Sequence, residues 1–247
     1  MSGHSKWHTI KHKKASIDAK RGKIFTRLIK EIVIAARSGG DPDMNPRLRT
    51  AVTAAKAVSM PSDNIKRAIM RGTGELEGLT IEETTYEGYG PGGAAIIIQC
   101  ATDNRTRTVS EIRHLFSRHG GNMGEQNSVA WMFERKSQVI IEGDKADEDT
   151  LTNILLDAGG DDVQGDGESW TLLSAPEAHD AVVAALEKAK IPTVTAEIAL
   201  VPKNTMALDS KSVPGMMRLL EAFEDYDDTQ NVYTNFEPDE SNVAAMA

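Results

Sequence analysis

Apolar residues recur as doublets every fourth position from Ile24 onward: Ile24 and Phe25, Leu28 and Ile29, Ile32 and Val33, then Ala36. That period predicts an amphipathic helix beginning near Asp18 and stopped by Ser38-Gly39-Gly40. At about 100° per residue, Lys20, Lys23, Arg27 and Lys30 fall on the opposite face, which is expected to present cations to solvent. Asn45-Pro46 pairs a capping residue with a proline at the first helical position. It starts a second helix marked by Leu48, Val52, Ala55 and Val58. Pro61 opens a third, with Ile65, Ala68 and Ile69 inward, Lys66, Arg67, Met70 and Arg71 elsewhere, and Gly72 as its expected end. Three helices with short connections predict a small bundle. Residues 1–15 lack this periodicity and read as a mobile arm.

Beyond residue 80 the pattern changes to short apolar runs alternating with helical stretches. Gly88-Tyr89-Gly90-Pro91-Gly92-Gly93 predicts a tight turn into a strand at Ala94–Cys100, followed by a helix from about Thr106 to His119 and a strand at Val129–Phe133. Between Val139 and Val201 the expected order is β-α-β-β-α-β, the ferredoxin-like arrangement. A short strand at Met206–Leu208, a helix at Val213–Asp225 and a strand at Val232–Phe236 would complete the unit begun at Ala94. The predicted fold is therefore α+β: an N-terminal three-helix domain followed by two ferredoxin-like α/β domains, the second inserted in the first. The expected boundaries are 1–79, 80–136 plus 204–247, and 137–203.

Charge is segregated. Residues 1–75 hold 16 Lys+Arg against 6 Asp+Glu, whereas residues 76–247 hold 12 against 31, within a chain of net charge -9. A segregated basic segment attracts polyanions and releases their counterions, the usual electrostatic source of nucleic-acid affinity. Candidate contacts are Lys6, Trp7, Lys11, Lys13 and Lys14 on the arm and Lys20, Arg21, Lys23, Arg27 and Lys30 on the first helix. Arg47, Arg49, Lys66, Arg67 and Arg71 on the next two complete the set. Trp7 could stack on a base or anchor the arm. The plainer reading is a solvated basic helix without a partner. No helix is rich in base-reading Asn, Gln and Arg, so phosphate contacts are expected over base readout. The acidic α/β domains could instead dock a basic protein.

Other chemistry is sparse. The single cysteine, Cys100, excludes intrachain disulfides and a thiolate zinc cluster and reads as core. His4, His8 and His12 share a four-residue spacing, but nothing completes a zinc ligand set. The acidic groups at Asp161-Asp162 and Asp166-Gly167-Glu168 lack calcium-loop spacing, and Glu224–Asp228 reads as a solvated helix end. The glycine turn precedes a strand rather than opening a helix, so it lacks the dinucleotide-binding context. Were the protein an enzyme, that turn beside Arg105 and Arg107 would be its candidate site. No cofactor, metal or membrane segment is expected, and a reducing cytoplasm is the expected compartment.

The motifs Gly3-His4-Ser5-Lys6-Trp7, Lys20-Arg21-Gly22-Lys23-Ile24-Phe25, Asp41–Arg49 and Tyr86–Gly93 resemble the signatures of the YebC/PmpR family. Asp103–Thr108 and Gly120-Gly121-Asn122 extend the match, which is dense from 3 to 135. The resemblance implies three domains and a cytoplasmic DNA-binding transcriptional regulator. The alternative it implies, as in mitochondrial relatives, is a ribosome-associated RNA-binding translation factor that helps with difficult proline-containing stretches. Ser59 and Ser62 stand where many relatives carry Asn and Lys, which lowers the positive charge of the third helix.

Overall fold

The computed structural model describes residues 17–78 and 80–237, with side chains from residue 22 onward. Three helices lead: α1 (Ile17–Ala36), α2 (Pro46–Ala57) and α3 (Ser62–Thr73). Ile32, Val33 and Ala36 of α1 are buried against Leu48, Val52 and Ala55 of α2 and Ile65 and Ala68 of α3, with Phe25, Leu28 and Ile29 packed alongside. Asn45 is buried at the start of α2 and works in both directions. Its Oδ1 accepts from the Leu48 amide, while Nδ2 donates to the carbonyls of Ala35 and Gly39 at 2.7 and 2.8 Å. The cap thus ties the end of α1 to the beginning of α2.

Gly72 does not end α3. The helix continues to Thr73 and is closed by Gly74 at φ +84, a left-handed position that glycine adopts without a Cβ penalty. Gly72 instead allows α3 to approach α1, since a Cβ there would lie 2.5 Å from the Val33 carbonyl oxygen. Ser59 also takes a left-handed φ, +59, just past the end of α2.

Two four-stranded sheets follow. The first has the order β3-β1-β2-β9, formed by β1 (Glu82–Tyr89), β2 (Ala95–Thr102), β3 (Asn122–Met123) and β9 (Thr229–Thr234). All its pairings are antiparallel. The helices α4 (Arg105–Arg118) and α7 (Val213–Asp225) cover one face, burying Ile112, Phe116, Leu219 and Phe223 against Ile96, Ile98 and Cys100. Burial pushes the Cys100 thiol up to about 12, so it stays protonated, as a core residue would. The second sheet, β5-β6-β4-β7, is built from β4 (Phe133–Glu142), β5 (Asp162–Gly165), β6 (Ser169–Ser174) and β7 (Thr195–Pro202). Its helices α5 (Glu148–Asp157) and α6 (His179–Lys188) share one face. The chain leaves the first sheet after β3 and returns to it at β9, so the second unit is inserted in the first. Ala95, Ile97 and Tyr233 on the other face of the first sheet pack with Phe133 and Ala199 and join the two units.

Two expected strands are different. Val129–Phe133 is a one-turn 3-10 helix at Ala130–Met132 followed by the start of β4. The segment at Met206 does not join the first sheet; β8 (Met206–Ala207) pairs in parallel with β10 (Phe236–Glu237) in a separate ladder. Glu87 in β1 is 5% exposed, and its carboxylate accepts from the backbone amides of Asn127, Val129 and Ala130, each at 2.8 Å. A carboxylate is acceptor-only, as three converging amides require. Glu87→Gln turns an NH2 toward those amides and is expected to cost about 2–3 kcal/mol. Denaturant unfolding measures it, and a change below about 0.5 kcal/mol, the scatter of neutral surface changes, would contradict this account.

Candidate nucleic-acid interface

On α1, the three cations of this face whose side chains are described, Lys23, Arg27 and Lys30, are engaged within the protein. Lys23 Nζ donates to the carbonyl and carboxylate oxygens of Asp225, both at 3.0 Å, and Arg27 donates to the Glu224 carbonyl. Lys30 Nζ spends all three donors, on the carbonyls of Ala101 and Asp227 at 2.9 Å each and on Asp228 Oδ1 at 2.7 Å. These side chains clamp the helical domain onto the end of α7 and the end of β2. The reason is complementary charge: Glu224–Asp228, expected to be a solvated helix end, is the dock for the basic helix. Asp228 is the hub. Its Oδ2 accepts from Thr102, Thr108, Arg107 and Tyr226 at 2.9–3.1 Å. Burial would raise the carboxyl, but the hydrogen bonds from Lys30, Arg107 and Thr108 outweigh it and hold it well below the usual carboxylate range.

Arg47 is also committed. Its guanidinium bridges Glu31 (2.8 Å) on α1 and Glu83 (2.6 Å) on β1, and the two carboxylates raise its pKa. It ties α1 to β1. Arg107 bonds Asp103 and Asp228. The suggested enzyme site does not assemble either. The glycine turn, now a 3-10 turn at Pro91–Gly93, opens β2, whereas Arg105 and Arg107 follow its other end. Eight residues of strand put about 25 Å between them. Among the described residues no group of His, Cys, Asp and Glu could hold a metal ion.

The other candidates divide by position. Lys6, Trp7, Lys11, Lys13 and Lys14, and the histidines at 4, 8 and 12, lie outside the described residues, as do the side chains of Lys20 and Arg21. Arg49, Lys66, Arg67 and Arg71 are exposed on α2 and α3. Arg49 reaches only the carbonyls of Pro42 and Asp43, and Arg67 only the Asp63 carbonyl and Asn64 Oδ1. Neither these four nor Lys56 is engaged by a carboxylate among the described residues. Lys66, Arg67, Met70 and Arg71 share one face of α3 at helical spacing. On α2, exposed Lys56 lies two turns from Arg49 on the same face, a cation that sequence reasoning missed. The arrangement offers diffuse positive charge without an array of base-reading amides, which suits contact with phosphates.

Comparison with known proteins agrees with this architecture. The profile of the TACO1/YebC protein N-terminal domain matches residues 5–75, and that of the TACO1/YebC second and third domain matches 81–236. The chain belongs to the TACO1/YebC family. It is 66% identical over its full length, and that of its relative, to a probable transcriptional regulatory protein of Solibacter usitatus. It is 60% identical to one of Acidobacterium capsulatum, over 99% of this chain and all of that one. The crystal structure of a conserved hypothetical protein from Aquifex aeolicus superposes with a TM-score of 0.83 at 44% identity, covering 92% of this chain and 95% of that one. The Solibacter and Acidobacterium relatives both carry the name probable transcriptional regulatory protein. No described helix is long and apolar enough to cross a membrane.

Proposed function

We propose that this TACO1/YebC protein is a non-enzymatic, cytoplasmic regulator of gene expression that binds nucleic acid by its phosphate backbone, with DNA as the target. The carrying observation is the exposed set Arg49, Lys66, Arg67 and Arg71, unclaimed by any carboxylate among the described residues on the basic third of an otherwise acidic chain. The names of its relatives support regulation of transcription. A second reading, a ribosome-associated RNA-binding translation factor, is favoured by the exposed face of α3, where Met70 stands among Asp63, Lys66, Arg67 and Arg71 without the set of Asn and Gln amides that would read adenines.

Changing Arg49, Lys66, Arg67 and Arg71 to Gln is expected to weaken binding more than tenfold. The slope of log affinity against log salt should flatten by about 3 to 4, at roughly 0.7–0.9 per lost phosphate contact. Fluorescence anisotropy with duplex DNA and with an RNA hairpin measures both. Unchanged affinity and slope on both probes would refute this surface. Gel shifts of promoter DNA against co-sedimentation with ribosomes at physiological salt decide between the targets.

A further inference from the structure

The acidic part of the chain is not uniformly acidic. Half of the 12 Lys+Arg after residue 75 lie in or beside two helices: Arg105, Arg107, Arg113 and Arg118 in α4, and Lys211 and Arg218 at the start of α7. Arg107 belongs to the Asp228 hub. Arg113, Arg118 and Arg218 are exposed, and among the described residues no hydrogen bond or ion pair holds them.

The end of α4 and the first turn of α7 come together with the glycine turn. A Cβ built on Gly215 would lie 3.3 Å from Pro91 Cγ and 3.9 Å from the His119 carbonyl oxygen, and one on Gly120 would lie 3.9 Å from Pro91 Cγ. His119 sits in this corner with its pKa lowered, first by burial and then by Arg118, Arg218 and His114. Arg118 is the chain neighbour of His119, and the approach of Gly215 to the His119 carbonyl brings the turn of α7 that carries Arg218 to the same corner. Such a cluster repels itself, and neutralisation by a polyanion removes that repulsion.

The opposing charges are few. Glu111 is the one acid within α4 and is half-buried; on α7, Glu221, Glu224 and Asp225 follow in the second half, and the last two belong to the junction with α1. The solvent face of α4 carries Thr106, Ser110, Arg113, His114, Ser117 and Arg118, with no Asn or Gln to read a base. Its 14 residues extend about 21 Å. A strand presenting a phosphate every 3.4 Å or so sets about six of them along that length. Arg107 at one end meets the junction with the helical domain, so the track continues from that domain's edge.

We propose that the exposed face of α4, ending in the corner of Arg118, His119 and Arg218 against the Gly90–Gly93 turn, is a second contact for a nucleic-acid backbone, separate from that on α2 and α3. This rests on the reading that the protein binds nucleic acid.

The test uses the full chain with Arg113, Arg118 and Arg218 changed to Gln. Its probes are a fluorescein-labelled 24-base-pair DNA duplex and an RNA hairpin of equal phosphate number, titrated over a range of KCl. Affinity is expected to fall about tenfold and the salt slope to flatten by about 2 to 3, on whichever probe the wild type binds, with circular dichroism and melting unchanged. The triple Arg→Lys variant is expected to keep most of the affinity. Gln variants with wild-type affinity and slope overturn the contact, as does a loss that Lys shares with no change in slope. If the α2–α3 variant loses binding while this one does not, the functional reading stands and the second contact falls. A wild type that binds neither probe removes both.

Discussion

Asp228→Ala is expected to cost about 3–5 kcal/mol of stability, because it strips the counter-charge from a Lys30 ammonium that stays buried. The pair is 15% and 6% exposed, so solvent does little to screen it. Four further donors lose their acceptor at once: Thr102, Thr108, Arg107 and Tyr226. The effect has a pH signature. The folded carboxyl is held below its unfolded value of about 3.9, so its contribution is fully present above that value and fades as pH falls through the folded pKa. The gap between wild type and Asp228→Ala in denaturant unfolding should therefore be full at pH 7 and narrower at pH 3. A variant within about 0.5 kcal/mol of wild type at pH 7, the scatter of neutral surface changes, would show that the hub is ornamental.

Periodicity was a sufficient guide where an element buries one clean face. The doublets from Ile24 to Ala36, the Asn45 cap and the β-α-β-β-α-β run all correspond to observed elements. It failed at β1, whose sequence Glu-Glu-Thr-Thr-Tyr-Glu-Gly-Tyr carries three acids and little aliphatic bulk. That strand is held by neighbours on both sides and by Glu87 serving a loop some forty residues on, relations that no local window contains. The segment at Met206 was misplaced for the converse reason, since two residues of strand fit either ladder.

The candidate interface was legible only in part. Counting charge located the basic third but could not separate cations that face solvent from those that face Glu224–Asp228. One signal was available. Ile34 lies four residues after Lys30 and eleven after Lys23, on the same face of α1, and it is 5% exposed. An isoleucine on a supposedly solvated cationic face marks that face as packed. The acidic tract at 224–228 then supplies the matching surface, though only the fold brings it near. On α4, by contrast, Arg113 and Arg118 remain exposed, and only the fold shows it.

Changing Lys23, Arg27 and Lys30 together to Gln is the decisive contrast. A solvated phosphate-binding face predicts normal stability and a flattened salt slope; a packed junction predicts the reverse. The contributions are unequal. Lys23 and Asp225 are 41% and 71% exposed, so Lys23→Gln alone should cost under about 1 kcal/mol. Arg27 donates to a carbonyl in a part-buried setting and should cost about 1–3 kcal/mol. Lys30→Gln leaves Asp228 without its shortest partner and should carry most of the loss, about 3 kcal/mol or more. The triple variant is expected to unfold at distinctly lower denaturant and to be cut by protease in the segment joining α3 to β1. In mild conditions where it remains folded, its salt slope on nucleic acid should match wild type, because none of the three groups reaches a phosphate while it holds Glu224–Asp228. Wild-type stability combined with a slope flattened by about 2 to 3 would return this face to the nucleic acid and leave the junction without a physical role.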